Sequence, residues 1–521
     1  MATSAQVIGA SILFAVYGIF ILYFVVKGSR GTKSINDYAV GSFTFSPVFV
    51  ALSLAAAMTS AATFVINPGL IATYGLSGYL SFGIVFPIAS MVSLVVLTKS
   101  FRKYGQSMSA VSLSSWIGKR YESKGYALFI AFLTFLLITF IVLILVALVK
   151  VISQALNADQ IWVLGLLIAF VFGYMMFGGA NSMVYTNTIQ AIIMVLVAII
   201  LIGSGIQFFK EGIGAFFENL SLIDPVLVRP TNPQSPLFRD LFEIIFVQLI
   251  VGAAVVCQPH IITKSLLLKK ESDVNKFLVV AVIVQMLFYS VVVAGLYARL
   301  EFPDLTQNGA HLNVDSIISA YVIEVFSGGI ASLLVGLLVI LGLISAGFST
   351  IEGLIQSLST TITTDIIKPL FGKNINENNY VKVNRLVILF LAIISFFVAR
   401  DQIIQPNLSV AIFAQNGVYA YFSILFVPIV FGIFLKNVNF ITAFSGSLTA
   451  LIVYYSVYYL FPALLKSDAA DFGFFNHYFT GNVQNPAVAA SIAILMSFVV
   501  GFLVHLTKKK KFAANNLQQT V

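Results

Sequence analysis

The stretch Leu341–Ile366 reads LGLISAGFSTIEGLIQSLSTTITTDI, which is apolar and long enough to cross a bilayer yet contains hydroxyls and one carboxylate well inside it. Ala346, Ser349 and Thr350 are spaced at i, i+3 and i+4, so on a helix they face the same way. Glu352 lies about half a turn further round. An intramembrane acid costs at least ~2.5 kcal/mol to insert, so it usually marks an ion or solute path. The stretch predicts a buried group of oxygens beside one negative charge, which suits a hard cation such as sodium.

The composition restricts the chain to one broad class. Of its 521 residues, 59% are hydrophobic and 9% are charged, and the mean hydropathy is +0.99. Soluble domains carry about 25% charged residues, so the sequence predicts an all-α membrane protein with many spans. The net charge of +9 lies in short loops, where it orients the spans rather than binding nucleic acid. Because it has one cysteine, Cys257, and lacks a phosphate-binding Gly-Lys-Ser/Thr loop, the chain carries no enzyme signature.

Apolar windows predict about thirteen spans of roughly 20 residues each. They lie near residues 5–27, 45–76, 78–99, 124–155, 160–178, 183–208, 240–265, 275–299, 328–362, 381–400, 405–434, 438–461 and 486–507. Loops rich in lysine and arginine alternate with acidic loops along the chain, and Lys264 is assigned to one of the basic loops. Since basic loops stay in the cytoplasm, the sequence predicts a cell-membrane protein with its N-terminus outside. The C-terminus, with its basic run Lys508–Lys511, is predicted inside.

Two of the predicted spans are interrupted. The second contains the small residues Ala56–Ala61 and then Asn67-Pro68-Gly69, and the seventh contains Cys257-Gln258-Pro259-His260. Proline lacks an amide donor and glycine is permissive, so both helices should break there. Broken helices five spans apart indicate a transporter with an inverted repeat. The predicted organisation is an accessory span within 1–30, five-helix repeats over 45–210 and 238–435, and two further spans with a basic cytoplasmic tail over 436–521.

Four motifs in order along the chain resemble those of the sodium:solute symporter family. They are Ser53–Gly69 (SLAAAMTSAATFVINPG), Gly178-Gly179 followed by YTNTIQ, Gln258–Ile261 (QPHI), and Ser349-Thr350 ahead of Asp365. The resemblance covers nearly the whole chain. It implies a ten-helix core in two inverted halves, whose first and sixth core helices are broken. It also implies Na+-coupled import of a small organic solute by alternating access.

The resemblance further implies a sodium site. Its oxygens would be the backbone carbonyls of Ala56, Thr59 and Ala346 and the hydroxyls of Ser349 and Thr350. Oxygens from a broken helix and a facing helix also suit a hard cation on chemical grounds. The alternative for the two hydroxyls is bonding to carbonyls of their own helix or packing against another helix.

The sequence departs from the family pattern at Met58 and Gly353 and, on two helices that are neighbours in the resembled fold, at Asn187 and Glu352. Asn187 stands where many members have an aspartate, and Glu352 stands where some members have a serine that binds a second sodium. We hypothesise that Glu352 faces Asn187 and substitutes for the missing acid, so that the two form a candidate site for a second cation or a proton. The alternative is a structural acid paired with a buried amide or a lysine.

Candidate solute contacts cluster at the two breaks and on one further span. Ser60 and Thr63 lie beside the first break, and Gln258, His260 and Gln415 lie on helices that line the solute path in the resembled family. For the two glutamines, hydrogen bonding between helices is equally expected, and His260 has the alternative of ending a helix near the cytoplasm.

The solute is predicted to carry a carboxylate, which half-helix amides can bind without an arginine. Proline, monocarboxylates and pantothenate are the leading candidates. A sugar as solute and proton coupling through Glu352 are the alternatives. A channel would need a continuous polar pore, and these spans offer only isolated polar residues.

Overall fold

Long helices make up most of the structure, a computed structural model that describes residues 3–268, 270–372, 379–405, 409–480 and 483–518. Ten helices of this described part are long and apolar enough to cross a membrane: Ser4–Ser29, Leu76–Gly105, Lys124–Leu156, Ala180–Phe209, Asp273–Glu301, Gly329–Phe371, Tyr380–Ile404, Val410–Phe434, Phe440–Lys466 and Pro486–Thr507. The side chains of residues 106 and 508–518 lie outside the described set, and those of the predicted basic run Lys508–Lys511 with them. The chain is an integral membrane protein of the all-α class.

Two helix pairs are bent at short breaks, one after Met58 and one after Val255, within the predicted segments Ala56–Ala61 and Cys257–His260 or directly before them. The break predicted at Asn67-Pro68-Gly69 was wrong, because Pro68 lies in the first turn of Asn67–Tyr74, where a missing amide costs little. Pro47–Met58 meets Ala62–Tyr74 at 56°, and Phe242–Val255 meets Pro259–Leu267 at 57°. We call these pairs the first and second broken helices. They open the two predicted repeats, and their nearly equal bends agree with the predicted inverted-repeat core.

Shorter elements connect the spans. They include the helices Ile35–Val40, Leu113–Arg120, Ile213–Ile223, Ile317–Val325 and Asn476–Phe479, and a hairpin of Thr306–Gln307 with Ala310–His311. Gln160–Met175 has 16 residues and corresponds to the predicted span 160–178. By length and composition the described residues support up to twelve spans, so the count of thirteen stays a prediction, as does the sidedness of the termini.

Local sequence explains how the first broken helix begins and ends. Ser46 caps it by accepting from the Phe49 N–H at 3.4 Å, and Pro47 takes the first helical position, where a missing amide costs little. The last bond of the first half runs from the Thr59 N–H to the Ala55 carbonyl at 3.0 Å. The Ser60 hydroxyl then accepts from the Ala62 N–H at 3.1 Å, at the start of the second half. The break therefore follows from the small and polar residues of this segment.

Gly329–Phe371, which we call the long helix, runs through the interior. Almost every residue from Gly336 to Thr361 is buried. The long helix packs against the first broken helix, against Lys124–Leu156 and against Ala180–Phe209, which we call the central helix. Its hydroxyls and its carboxylate therefore face protein rather than lipid, as is usual for polar groups inside a membrane.

A close backbone approach fixes the second half of the first broken helix. Gly295 faces the carbonyl of Pro68 and Gly69 faces the carbonyl of Val314 so closely that a side chain would not fit at either glycine. Both contacts hold the segment after the break against neighbouring elements. The second half of the first broken helix is thus fixed against two neighbouring segments.

Candidate functional site

The break in the first broken helix releases backbone carbonyls inside the protein. A helix ordinarily pairs each carbonyl with the N–H four residues later. Because the last such bond ends at Ala55, the carbonyls of Ala56, Ala57 and Thr59 have no helical donor. The break therefore presents several oxygens to the helix that lies opposite.

The long helix meets these carbonyls with its two predicted hydroxyls. The Ser349 Oγ donates to the Ala56 carbonyl at 2.7 Å, and the Thr350 Oγ1 donates to the Thr59 carbonyl at 3.4 Å. Both hydroxyls also reach the Ala346 carbonyl of their own helix, at 3.1 and 3.3 Å. All five residues are fully buried. The two hydroxyls thus lie within hydrogen-bond distance of the three predicted carbonyls, and the five oxygens form one buried group of the kind that hard cations prefer.

Two groups around this site were missed in the sequence. The Ala57 carbonyl accepts from Thr350 at 3.1 Å, and the Gln285 amide donates to the Thr59 hydroxyl at 2.6 Å. Gln285 was detectable, since it is the one amide in the apolar stretch 277–298 of the predicted span 275–299. The Ala57 carbonyl was not, because every residue carries a carbonyl and only the geometry selects one.

A cavity of about 100 Å³ lies beside the break. The sequence-predicted solute contacts all line it: Ser60, Thr63, Gln258, His260 and Gln415. Aromatic walls come from Phe140, Tyr289 and Tyr419, among others. Among the described residues, its lining contains no aspartate, glutamate, lysine or arginine.

Several polar atoms at this cavity lack a partner. Both ring nitrogens of His260 and the Oε1 of Gln258 are buried without a hydrogen bond among the described residues. The other end of the Gln258 amide donates to the Val255 carbonyl at 3.2 Å. An unsatisfied buried polar atom costs about 1–3 kcal/mol, which a polar ligand would recover. His260 therefore lies against the cavity, in the first turn of the helix that begins at Pro259.

Glu352 and Asn187 are in direct contact, within a cluster of hydrogen-bond donors. The carboxylate accepts from Tyr174 at 2.5 Å, from Thr186 at 2.6 Å and from Gln190 at 3.3 Å. With its amide nitrogen turned toward the acid, Asn187 donates to Glu352 at 3.0 Å. Glu352 is fully buried. The four donors come from the helix Gln160–Met175 and from the central helix.

The assignment of Lys264 to a basic loop was wrong. Lys264 belongs to the second half of the second broken helix and is 3% exposed. Its Nζ donates to the Ser53 hydroxyl at 2.8 Å and to the oxygen of Asn187 at 3.2 Å. Counting charges along the sequence cannot distinguish a lysine in a loop from a lysine in the last turn of a span whose side chain points into the protein. Both kinds of lysine lie next to the same basic segment.

Comparisons with known proteins agree on the kind of molecule. A model described as "Sodium:solute symporter family" matches residues 38–450. A sodium/pantothenate symporter of Escherichia coli (strain K12) is 26% identical over 504 residues, which cover 94% of this chain and 94% of the relative. A sodium/proline symporter of Staphylococcus aureus is 24% identical, covering 85% of this chain and 84% of the relative.

Solved structures agree with the fold. A substrate-bound, outward-open Na+-coupled sialic acid symporter superposes with a TM-score of 0.73 at 17% identity, covering 95% of this chain and 96% of that one. A crystal structure of MhsT in complex with L-phenylalanine gives a TM-score of 0.51 at 16% identity, covering 88% and 99%. At these sequence identities the similarity shows the fold of the chain, and it does not show the solute or the site residues.

Proposed function

Because the chain belongs to the sodium:solute symporter family, we propose that it imports a small organic carboxylate, with Na+ as the coupling ion. The observation that carries this proposal is the contact of the Ser349 and Thr350 hydroxyls with the carbonyls released at the first break. That contact lies directly beside a cavity with unsatisfied polar atoms. An ion at the break and a solute in the cavity would therefore act on the same segment.

The proposed transport mechanism depends on the two helices that a bound sodium ion would connect. Sodium bound by Ala56, Thr59, Ala346, Ser349 and Thr350 would bridge the first broken helix and the long helix. It would stabilise the conformation in which those two helices meet and complete the cavity wall at Ser60. An ion shifts such an equilibrium only through its different affinities for the two states. Solute binding would then permit the broken helices to move relative to the long helix.

The cavity favours a carboxylate that also carries neutral polar groups. Its lining has no lysine or arginine among the described residues, so the carboxylate would interact with backbone amides at the start of Ala62–Tyr74, the positive end of that half-helix. Gln258 and His260 would pair with the neutral groups. Pantothenate has both kinds of group and is the first candidate, which the sodium/pantothenate symporter relatives also support. Proline and monocarboxylates are the next candidates.

The test is uptake into proteoliposomes that contain the purified chain. Radiolabelled pantothenate, proline, pyruvate and glucose are each offered under an inward sodium gradient or an inward proton gradient. We expect accumulation of a carboxylate that depends on the sodium gradient. Accumulation of glucose would overturn the solute class, and accumulation driven by protons alone would overturn the coupling ion.

Replacing Gln258 by leucine should raise the KM of the transported solute about tenfold, since one hydrogen bond to a charged or polar ligand contributes roughly 1.5 kcal/mol. The leucine keeps the size of the side chain and removes its amide. Initial rates of uptake at saturating sodium measure the effect. Gln248→Leu is the matched control, because Gln248 is a buried amide of the same broken helix outside the cavity. Equal KM values for the two variants would exclude Gln258 as a solute contact.

A further inference from the structure

The Glu352 carboxylate is saturated with donors. Two donors reach its Oε1, from Tyr174 and Gln190, and two reach its Oε2, from Thr186 and Asn187. An ionised carboxylate offers about four lone-pair positions. Each position is thus used by the protein, which leaves none to serve as a ligand for an exchangeable cation.

A positive charge is nevertheless built into this cluster. A fully buried carboxylate needs a compensating charge, since an isolated one is strongly disfavoured. The Lys264 ammonium is joined to Glu352 through Asn187, whose oxygen accepts from Lys264 at 3.2 Å while its nitrogen donates to Glu352 at 3.0 Å. Ser53 accepts a second hydrogen bond from the same ammonium at 2.8 Å. Lys264 and Glu352 together are electrically neutral.

We propose that the Lys264 ammonium is a cation tethered to the chain that takes the place of a second bound ion, so that each chain binds a single sodium ion. The inference rests on the proposed function, because it counts the ions of that same transport cycle. It departs from the sequence-based hypothesis that Glu352 holds an exchangeable second cation or carries a proton. A second sodium near Glu352 would add an uncompensated charge to a neutral, buried pair.

The tethered charge of Lys264 contacts the helices that are proposed to move during transport. Ser53 lies on the first half of the first broken helix, and Lys264 lies on the second half of the second broken helix. Asn187 and Glu352 lie on the central and long helices. The network therefore connects both broken helices to the helices they pack against. Without Lys264, a bound ion would be needed to make this connection.

Counting bound sodium on the purified, full-length protein tests the inference without knowledge of the solute. Equilibrium binding of radioactive sodium should saturate at one ion per chain, and Ser349→Ala/Thr350→Ala should remove that ion. Two ions per chain, with the second lost in Glu352→Gln, would overturn this inference and leave the proposed function standing. No sodium binding at all would overturn both.

A lysine variant gives an independent result. In Lys264→Ala, the Ser53 hydroxyl and the Asn187 oxygen face the space of the missing ammonium, so we expect the stoichiometry to double to two sodium ions per chain. In Lys264→Ala/Glu352→Gln the negative charge is also gone, and the count should return to one. Retention of the first ion shows that a variant is folded. A folded Lys264→Ala protein that still binds one sodium ion would contradict the proposal.

Discussion

Removing both hydroxyls with Ser349→Ala/Thr350→Ala is expected to abolish sodium-driven uptake and to weaken sodium binding by about 10²–10⁴-fold. The two hydroxyls are two of the five oxygens gathered at the first break. Each bond to a charged group contributes roughly 1.5–3 kcal/mol, and each 1.4 kcal/mol is a factor of ten. Equilibrium binding of radioactive sodium measures the affinity, and uptake into proteoliposomes measures the coupling.

Two controls separate loss of the site from loss of the fold. Ser357→Ala removes a buried hydroxyl of the same helix that donates only to the Leu354 carbonyl, one turn earlier, and it should leave sodium binding intact. Thr350→Ser removes a methyl group and keeps the hydroxyl, so most of the affinity should remain. Sodium-driven uptake at the ordinary rate in the double alanine variant would refute the assignment of the site.

The fold could be predicted from the sequence because its determinants are local. Apolar runs of about 20 residues reveal spans, and small residues or a proline indicate where a span can break, although Pro428 lies inside the continuous helix Val410–Phe434. The segments at Ala56–Ala61 and Cys257–His260 therefore located both bends before any contact was known, and the structure bends the chain at both by similar angles. The predicted span 160–178 corresponds to Gln160–Met175, which has 16 residues and is shorter than the ten long spans.

The candidate site was predictable only where spacing or family motifs carried it. The position of Ser349 and Thr350 on one helix face could be recognised from their spacing alone, without knowing which helix lies opposite. Lys264, by contrast, had the sequence context of a loop lysine, and its role emerges only from its contacts with Ser53 and Asn187. Contacts between helices depend on how each helix rotates and packs, which composition and periodicity do not specify.

Replacing Glu243 by alanine is expected to lower the free energy of unfolding by about 3–5 kcal/mol, the typical cost of breaking a buried ion pair. Glu243 is fully buried at the start of the second broken helix, where Arg239 contacts it at 2.6 Å and Asn485 donates to it at 3.0 Å. Arg239 also donates to the His477 carbonyl at 2.5 Å. Without the carboxylate, the guanidinium and the Asn485 amide lose their shared acceptor, and the hydrogen bond that joins Asn485 to the second broken helix is lost.

Heating the detergent-solubilised protein and measuring the remaining monodisperse fraction by size-exclusion chromatography gives the unfolding midpoint. The midpoint should fall by several degrees in Glu243→Ala and by less in Glu243→Gln, which keeps one acceptor oxygen. Glu324→Ala is the matched control, because Glu324 is exposed and its bond to Gln307 is a surface contact. Such a surface change should stay within about 0.5 kcal/mol. If Glu243→Ala and Glu324→Ala unfolded at the same temperature, the buried ion pair would not stabilise this end of the helix.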